Sequence, residues 1–212
     1  VTPLPETMTY SEGAMIEPLA VTVHAVRRAG DVRGQKIAVL GAGPIGILLA
    51  QSAKALGAAQ VLITDISTPR LELAKACGVD FAVNTKEHGF GEALEECFGP
   101  DKADVIYDCA MGQAIRHARK GSTIILVAVY AGMANVDLAV LNDHELDLNT
   151  SMMYRHEDYL EAIRLVNEGK VRLEPLMSRH FPFRDYLAAY QYIDANRETT
   201  MKVLIDVDES EA

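Results

Sequence analysis

The sequence predicts an α/β fold built as a doubly wound parallel sheet. Short apolar runs alternate with amphipathic segments from residue 36 to residue 129, which is the pattern of strands that alternate with helices. An early apolar run leads directly into three glycines in GxGxxG spacing, and a helical pattern follows them. A later run, TIILVAV at 123–129, is apolar throughout, as in a parallel strand that helices cover on both faces.

The stretch from Lys36 to Asp65 carries most of this prediction. Its first four apolar residues, 37–40, have the composition of a short buried strand. A helix is predicted from Ile45 to Leu56, because apolar side chains recur there on one face. A second strand, Val61–Thr64, completes a strand–helix–strand unit and leads to the aspartate.

The three glycines of this unit predict a dinucleotide-binding turn. Gly41 makes the tight turn, Gly43 lets a pyrophosphate approach the backbone, and Gly46 lets the helix pack close to the strand. The helix N-terminus offers N–H groups to phosphate. Asp65, nineteen residues after Gly46, can accept hydrogen bonds from both ribose hydroxyls. The alternative is that the glycines serve only a tight turn between strand and helix.

Asp65 also predicts which cofactor is used. A carboxylate at this position repels the 2′-phosphate of NADP and therefore favours NAD. Arg70, five residues later, is a cation that would favour NADP. Because Asp65 is present, NAD is the prediction.

Composition and charge restrict the class of protein. The chain has 212 residues, of which 49% are hydrophobic and 24% charged, as expected of a soluble globular protein of one domain or one and a half. A net charge of −10 argues against nucleic acid or an anionic membrane as a partner. The cysteines at 77, 97 and 109 are scattered, which is typical of reduced core thiols in a cytoplasmic protein.

The N-terminal region is predicted to contain two short helices. Ser11 is the predicted N-cap of the first, and Pro18 is predicted to end it and to start a second helix over Leu19–Arg28. Glu17 then lies at the junction, where it is either a capping or solvated residue or a metal ligand. The chain begins at Val1 without a methionine, and we expect further sequence before it.

The remaining elements continue the alternation. Helices are predicted at Pro69–Ala76, Gly89–Cys97, Gln113–Arg119, Glu157–Glu168 and Asp185–Ala195. Strands are predicted at Phe81–Val83, Ala103–Tyr107, Thr123–Val129, Val136–Val140, Leu146–Thr150, Arg179–Phe183 and Val203–Val207. Doubly wound sheets bind ligands at the carboxyl ends of their strands, which predicts one rim containing Gly41, Asp65, Cys109 and 127–129.

Several segments together resemble a known family. GAMIEPLAVTVHAVRRAG, KIAVLGAGPIGILLAQSAKALGA and ITDISTPRLELAKACGVD resemble the zinc-dependent medium-chain dehydrogenases. The most similar branch contains the sorbitol, threonine and 2,3-butanediol dehydrogenases. The resemblance continues through DVIYDCA, RKGSTIILVAVYAG, SMMYRHEDYLEAIRLVNEGKV and MKVLIDV, and it covers nearly the whole chain.

The resemblance implies a domain arrangement. Family members combine a GroES-like catalytic domain with a Rossmann domain, and the catalytic domain is absent from these 212 residues. Residues 1–30 would then be a linker and helices that cross from that domain, and residues 31–212 an NAD-binding Rossmann domain with a C-terminal return segment. Glu17 matches a position that binds the catalytic zinc directly or through water in relatives. The other zinc ligands are expected outside the chain.

The resemblance also assigns cofactor contacts. Gly43, Pro44 and Ile45 match pyrophosphate contacts, Asp65 matches the adenosine-ribose contact, and Arg70 is expected along the adenosine. Residues expected beside the nicotinamide are Cys109, Ala110, Val127, Ala128 and Val129. Lys202 matches a basic position that reaches the cofactor phosphates in some relatives, although a surface role is the alternative.

Two features depart from the family pattern. The segment between Cys109 and Gln113 is several residues shorter than in relatives, at the rim where the nicotinamide is expected. Sorbitol-type relatives carry a substrate-binding arginine where this chain has Tyr154, and Arg155 is displaced by one position, which weakens a polyol assignment. Of the histidines, His24 and His180 match structural positions. The other four have no ligand spacing.

The resemblance implies a zinc-dependent oxidoreductase. The expected reaction is oxidation of a secondary alcohol (a polyol, diol or amino alcohol) by hydride transfer to NAD, with zinc acting as a Lewis acid on the alcohol. The chain alone is expected to be inactive, and relatives imply a homodimer or homotetramer. The alternatives are a zinc-less NADPH-dependent quinone or enone reductase and a non-catalytic nucleotide-binding or oligomerisation module.

Overall fold

The computed structural model describes residues 2–109 and 114–207. The helices are α1 (Tyr10–Arg28), α2 (Pro44–Ala55), α3 (Thr68–Ala76), α4 (Phe90–Phe98), α5 (Ala114–His117), α6 (Leu138–Asp143), α7 (His156–Asn167) and α8 (Tyr186–Ala195). The strands are β1 (Lys36–Leu40), β2 (Gln60–Asp65), β3 (Phe81–Asn84), β4 (Val105–Asp108), β5 (Thr123–Leu126), β6 (Asp147–Thr150), β7 (Met177–Pro182) and β8 (Lys202–Asp206). None of the helices in these two ranges has the length and apolar character needed to cross a bilayer.

Six strands form one parallel sheet. Their order is β3-β2-β1-β4-β5-β6, and every adjacent pair is parallel. This is the strand order of a Rossmann fold, in which the direction of winding reverses between β1 and β4. The predicted doubly wound sheet is therefore confirmed, and its switch point lies at the end of β1, where the glycine-rich turn begins.

The core consists of two apolar layers, one on each face of the sheet. Alternate side chains of a strand point to opposite faces, so Ile37 and Val39 pack in one layer and Ala38 and Leu40 in the other. The first layer lies under α1, α2 and α7, and the second under α4 and α5. Both faces are covered, which explains why β1 is apolar at successive positions.

The N-terminal region forms one helix and not two. α1 continues from Tyr10 to Arg28 with Pro18 inside it, and its N-cap is Thr9, which forms a capping box with Glu12. The predicted N-cap at Ser11 and the predicted break at Pro18 are therefore wrong. Proline removes the donor to the carbonyl of Ala14, but α1 stays continuous because its buried face packs against α2 and α7.

Two predicted strand regions also differ from the structure. β5 ends at Leu126, because the N–H groups of Val127 and Ala128 both donate to the carbonyl of Asp108 and turn the chain across the end of β4. The region predicted as a strand at 136–140 leads instead into α6. There the Asp137 carboxylate accepts a hydrogen bond from the N–H of Val140 and caps the helix.

The C-terminal residues form a smaller unit beside the main sheet. β7 and β8 pair in parallel with each other and, within the described residues, with no other strand. The 3₁₀ turn before α8 and α8 itself expose large apolar side chains: Phe183, Tyr186, Leu187 and Tyr190 are each more than half exposed. A two-stranded sheet is marginally stable by itself, so this unit depends on the surfaces that pack against it.

Candidate functional site

The glycine-rich turn has the geometry that its spacing predicted. Gly41 has φ +100° and donates its N–H to the carbonyl of Thr64 at 2.7 Å, so the turn is tied to the end of β2. A Cβ on Gly46 would overlap with the carbonyl oxygen of Gly41, so only glycine lets α2 pack this close to the turn. A Cβ on Gly43 would meet no protein atom within 4 Å.

The N-terminus of α2 faces the same space as Gly43. Gly43 is the N-cap and supplies no side chain to the helix, and Pro44 in the first turn has no N–H. The first-turn N–H groups of Ile45 and Gly46 therefore receive no side-chain cap. Together with the helix dipole, such groups form a binding site for the negative charge of a phosphate.

The carboxylate of Asp65 holds the turn on its other side. Its Oδ2 accepts a hydrogen bond from the N–H of Ala42 at 2.6 Å, and its Oδ1 accepts from the N–H groups of Ile66 and Ser67 at 2.8 and 2.9 Å. Three of the about four acceptor sites of the carboxylate are thus used, and Oδ2 can accept one further bond. Asp65 therefore fixes the glycine-rich turn and keeps one acceptor site for a ribose hydroxyl.

Arg70 is engaged elsewhere in the fold. Its guanidinium donates to the backbone carbonyls of Arg197 and Glu198, at 2.7 and 3.2 Å, and so ties α3 to the segment before β8. These bonds use two of the five N–H donors of the guanidinium. This contact with the C-terminal segment has no signal in the local sequence.

The residues predicted beside the nicotinamide lie at the ends of β4 and β5. The N–H of Cys109 donates to the carbonyl of Leu40, which places this residue directly beside the end of β1. Val127 and Ala128 are half-buried, whereas Val129 is 75% exposed. Burial and the neighbouring Asp108 carboxylate raise the pKa of the Cys109 thiol to about 12, so this cysteine is protonated at neutral pH. Ala110 lies outside the described residues.

Glu17 and Lys202 line one groove between α1 and β8. This α1–β8 groove has a volume of about 280 Å³ and is bounded by Ala14, Met15, Glu17, Pro18 and 202–205. Glu17 is half-buried, and Pro18 follows it inside the helix. The structure therefore brings these two predicted residues together on the surface between the main sheet and the C-terminal unit.

The described part of the chain does not form a metal site by itself. No group of three or more histidine, cysteine, aspartate or glutamate side chains lies close enough together in residues 2–109 and 114–207 to hold a metal ion. A zinc site needs three or four protein ligands. Glu17 supplies at most one, so the donor set of the described residues does not fit zinc without further side chains from outside these two ranges.

A second concave region is formed by side chains of α7 and of the segment before it, with Thr2. Tyr154 and Tyr159 pack with their ring centroids 5.8 Å apart and, together with Thr2 and His156, line a pocket of about 330 Å³, which we call the tyrosine pocket. Burial raises the pKa of Tyr159, and the neighbouring Tyr154 and Glu17 raise it further. The tyrosine pocket is therefore within electrostatic reach of the Glu17 carboxylate.

A buried carboxylate next to this pocket was not predicted from sequence. Asp158 is 2% exposed and accepts hydrogen bonds from His24 at 2.7 Å, from Arg27 at 2.8 Å and from the N–H of Arg155 at 2.9 Å. Burial acts to raise its pKa, but these hydrogen bonds outweigh burial and lower it. This aspartate joins α1 to the first turn of α7. Its two side-chain partners, His24 and Arg27, are more than 130 residues away, so local sequence gives no signal for them.

Two further histidines, His180 and His117, pair or pack with neighbouring side chains. His180 pairs with Asp206 across β7 and β8 at 2.9 Å, and His117 packs edge-on against Phe90 with the ring centroids 5.9 Å apart. Burial, with the nearby Lys102 and Arg116, lowers the pKa of His117. These contacts are structural ones, as predicted for His180.

Comparisons with known proteins show which family, which sequences and which solved structures this chain resembles. Residues 44–168 match the family model described as "Zinc-binding dehydrogenase". The chain is 35% identical to sorbitol dehydrogenase of Ovis aries over 98% of its length and 32% identical to sorbitol dehydrogenase 1 of Saccharomyces cerevisiae over 95%. It spans 60% of the length of each of these relatives. The solved structure of galactitol-1-phosphate dehydrogenase from Escherichia coli matches 94% of this chain, and 61% of its own, with a TM-score of 0.84 and 29% identity.

Proposed function

Because the chain belongs to the zinc-binding dehydrogenase family, we propose that it is the cofactor-binding part of an oxidoreductase that oxidises a secondary alcohol with NAD. The proposed substrate is a polyol, a diol or an amino alcohol. The sorbitol dehydrogenases and the galactitol-1-phosphate dehydrogenase among its relatives support the polyol as the first class to test.

One observation carries the proposal. Gly46 has to be glycine because of the protein's own packing, but nothing in the protein requires glycine at Gly43, where a Cβ would be free of contacts. A glycine requirement at Gly43 would therefore come from a ligand that approaches the backbone. The uncapped N-terminus of α2 next to it favours an anionic ligand, and Asp65 at the end of β2 favours a ribose beside that anion.

In this proposal, different residues of the chain bind different parts of the cofactor. The N–H groups of Ile45 and Gly46 bind the pyrophosphate, Asp65 accepts a hydrogen bond from the adenosine ribose, and Cys109 with 127–129 borders the nicotinamide. NAD, when bound, supplies the ring that accepts hydride from the alcohol carbon. The protein orients this ring at the carboxyl ends of β4 and β5 and excludes water from one side of it.

The metal and the rest of the active site would come from outside the chain. We propose that a catalytic domain packs on the α1–β8 groove and on the exposed aromatic side chains of α8, and that Glu17 contributes one zinc ligand at this junction. The two-stranded sheet of β7 and β8 supports this arrangement, because among the described residues no third strand pairs with its outer edges, and these edges are available to a neighbouring sheet. Residues 1–30 would connect the two domains, and the chain by itself would turn over no substrate.

Replacing Gly43 by alanine tests whether a pyrophosphate occupies the open space beside Gly43. We expect the dissociation constant of NAD, measured by isothermal titration calorimetry, to rise by at least about tenfold, because the new methyl group occupies the space that a pyrophosphate needs. The thermal midpoint should stay close to that of the wild type. Gly89→Ala is the matched control, since Gly89 is also an N-cap glycine and its Cβ would make only an ordinary contact with Glu92. Equal NAD affinity in both variants would rule out a pyrophosphate at Gly43.

Replacing Asp65 by asparagine tests which cofactor is used and separates the proposal from an NADPH-dependent reductase. The change removes the charge that repels a 2′-phosphate and places an NH₂ group where carboxylate oxygens now accept from backbone N–H groups. We expect NAD to bind about tenfold more weakly and the preference for NAD over NADP to shrink. Competition between the two cofactors in the same calorimetric cell measures both. A wild-type protein that prefers NADP would favour the reductase.

The intact mass and zinc content of the protein purified from its source test the rest of the proposal. A mass well above the 23.1 kDa of this chain, with at least one zinc per chain, is expected of the proposed two-domain enzyme. A mass of 23.1 kDa without zinc would favour the non-catalytic nucleotide-binding module.

Light scattering on the same sample tests the proposed homodimer or homotetramer. We further propose a small-molecule alcohol, and neither nucleic acid nor membrane, as the partner of this cytoplasmic protein.

A further inference from the structure

Arg70 on α3 contacts the turn at 196–200, and this contact bears on the choice of cofactor. We infer that it is a second determinant of the preference for NAD, beside the charge of Asp65. NAD leaves the contact in place, whereas the 2′-phosphate of NADP has to break it. The contact has this role only if a dinucleotide binds at the glycine-rich turn, so the inference rests on the proposed function.

The guanidinium of Arg70 is held by two backbone carbonyls. Its Nη2 donates to the carbonyl of Arg197 at 2.7 Å, and its Nε donates to the carbonyl of Glu198 at 3.2 Å. These two N–H groups lie on one edge of the planar guanidinium, and an arginine uses such an edge to bind two oxygens of a phosphate. The protein itself therefore occupies an edge of Arg70 that a phosphate would use.

The turn that supplies these carbonyls is anchored at both ends. The side chain of Asn196 donates to a carbonyl in the last turn of α8 at 2.9 Å. The N–H groups of Thr199 and Thr200 both donate to the carbonyl of Asn196, at 3.2 and 2.9 Å, and close the turn. Met201, directly after it, is buried in the larger apolar core. The turn therefore cannot follow the guanidinium when Arg70 moves, and the contact between them breaks.

Arg70 lies in the part of the fold that a 2′-phosphate would enter. It belongs to the first turn of α3, and Asp65 fixes the start of that helix by accepting hydrogen bonds from the N–H groups of Ile66 and Ser67. In dinucleotide-binding folds, an arginine in this neighbourhood accommodates the 2′-phosphate of NADP. Asp65 repels this phosphate, and the engaged guanidinium withholds the cation that would offset the repulsion.

A 2′-phosphate and the two carbonyls compete for the same guanidinium. The phosphate is the stronger acceptor, because its hydrogen bonds to arginine carry charge on both sides, so bound NADP draws Arg70 away from the turn. The two lost hydrogen bonds lower the affinity for NADP about tenfold relative to an arginine without these partners. NAD has a hydroxyl group at this position, which is a weak competitor for the guanidinium and leaves the contact intact.

The test uses 5′-AMP and 2′,5′-ADP, two nucleotides that differ only in the 2′-phosphate. Each is added to the full-length protein, and hydrogen–deuterium exchange of the backbone amides at 197–206 is followed by mass spectrometry. We expect this segment to exchange at least about threefold faster with 2′,5′-ADP than with 5′-AMP. Arg70→Met should exchange fast with either nucleotide and should bind 5′-AMP within about twofold of the wild type.

A change in the turn tests selectivity without altering Arg70. Asn196→Ala removes the side-chain hydrogen bond that anchors the turn to α8, so the carbonyls hold the guanidinium less firmly. We expect the dissociation constant of 2′,5′-ADP, relative to that of 5′-AMP, to fall about threefold in this variant, as measured by calorimetry. An unchanged ratio would overturn the inference.

Lys75→Met is the matched control, because Lys75 is a cation on the same helix that pairs with Glu72 within α3. It should match the wild type in both measurements. Equal exchange with the two nucleotides in the wild type would overturn the inference and leave the cofactor proposal standing. So would a tenfold loss of 5′-AMP affinity in Arg70→Met, because Arg70 would then contact the nucleotide directly. A wild-type protein that binds neither NAD nor 5′-AMP would overturn both.

Discussion

Gly46→Ala is expected to lower the free energy of unfolding by about 3 kcal/mol, the upper part of the range for inserting a methyl group into a packed region. The new Cβ would overlap with the carbonyl oxygen of Gly41, which is a backbone atom and cannot rotate away as a side chain can. Gly41 is itself bound to Thr64, so relief would require α2 to move away from β1 or the turn to detach from β2. Urea unfolding followed by circular dichroism measures the change.

Gly43→Ala provides the contrast for this prediction. It lies in the same turn, has φ −72°, and its added methyl group would meet no protein atom. We expect its unfolding free energy to stay within about 1 kcal/mol of the wild type, which is the usual range for N-cap changes without a hydrogen bond. The two neighbouring glycines should thus separate a folding requirement from a binding requirement. Equal stability of Gly46→Ala and Gly43→Ala would contradict the packing described for Gly46.

Asp158→Asn is expected to cost about 3 kcal/mol of unfolding free energy at neutral pH, as is typical when one partner of a buried charged cluster is removed. The asparagine would retain one acceptor oxygen, but its NH₂ group would face donors from His24, Arg27 or the N–H of Arg155. The contact between α1 and the first turn of α7 should loosen. Hydrogen exchange at α1 and α7, measured together with urea unfolding, locates the effect.

The cost of Asp158→Asn should depend on pH in a defined direction. The pKa of Asp158 is lowered below its ordinary value of 3.8 in the folded protein. The unfolded chain therefore binds the proton more readily, and the stabilisation is present above about pH 4 and is lost as the pH falls through the folded pKa. The stability difference between wild type and variant should shrink as the pH falls below about 4 and through the folded pKa.

Asp31→Asn is the control for this pH dependence. Its carboxylate pairs with Arg33, and the side-chain and backbone hydrogen bonds from Arg33 lower its pKa to about 2, but both side chains are exposed to solvent. Exposed ion pairs contribute little to stability, so this change should leave the unfolding midpoint nearly unchanged. A pH-independent cost of Asp158→Asn would show that the cluster acts through packing and not through charge.

Local sequence was sufficient for the parts of the fold that depend on neighbouring residues. The β1–α2–β2 unit was predicted with its bounds correct to within one residue, because glycine spacing and hydrophobic periodicity are both local signals. The rim that joins Gly41, Cys109 and 127–128 followed from strand order, and the backbone hydrogen bonds between these strand ends agree with it.

The incorrect predictions arise where packing or a side-chain cap outweighs a local pattern. Pro18 would end an isolated helix, but the buried face of α1 keeps the helix intact. The apolar residues at 136–140 suggested a strand, whereas the cap at Asp137 starts a helix. The Asp158 cluster and the tyrosine pocket could not be predicted, because each joins residues that are brought together only by the tertiary fold.

The strand order has a consequence for how the protein is made. β1 is synthesised first and lies at the centre, so during translation β2 and β3 can extend one side of it, and β4, β5 and β6 can later extend the other. No strand has to enter between two that are already paired. His24, however, meets Asp158 only after 134 further residues, which take about 7–27 s at ordinary elongation rates. During that interval the part of the apolar face of α1 that packs against α7 is uncovered, and the nascent helix is accessible to chaperones and open to misassembly.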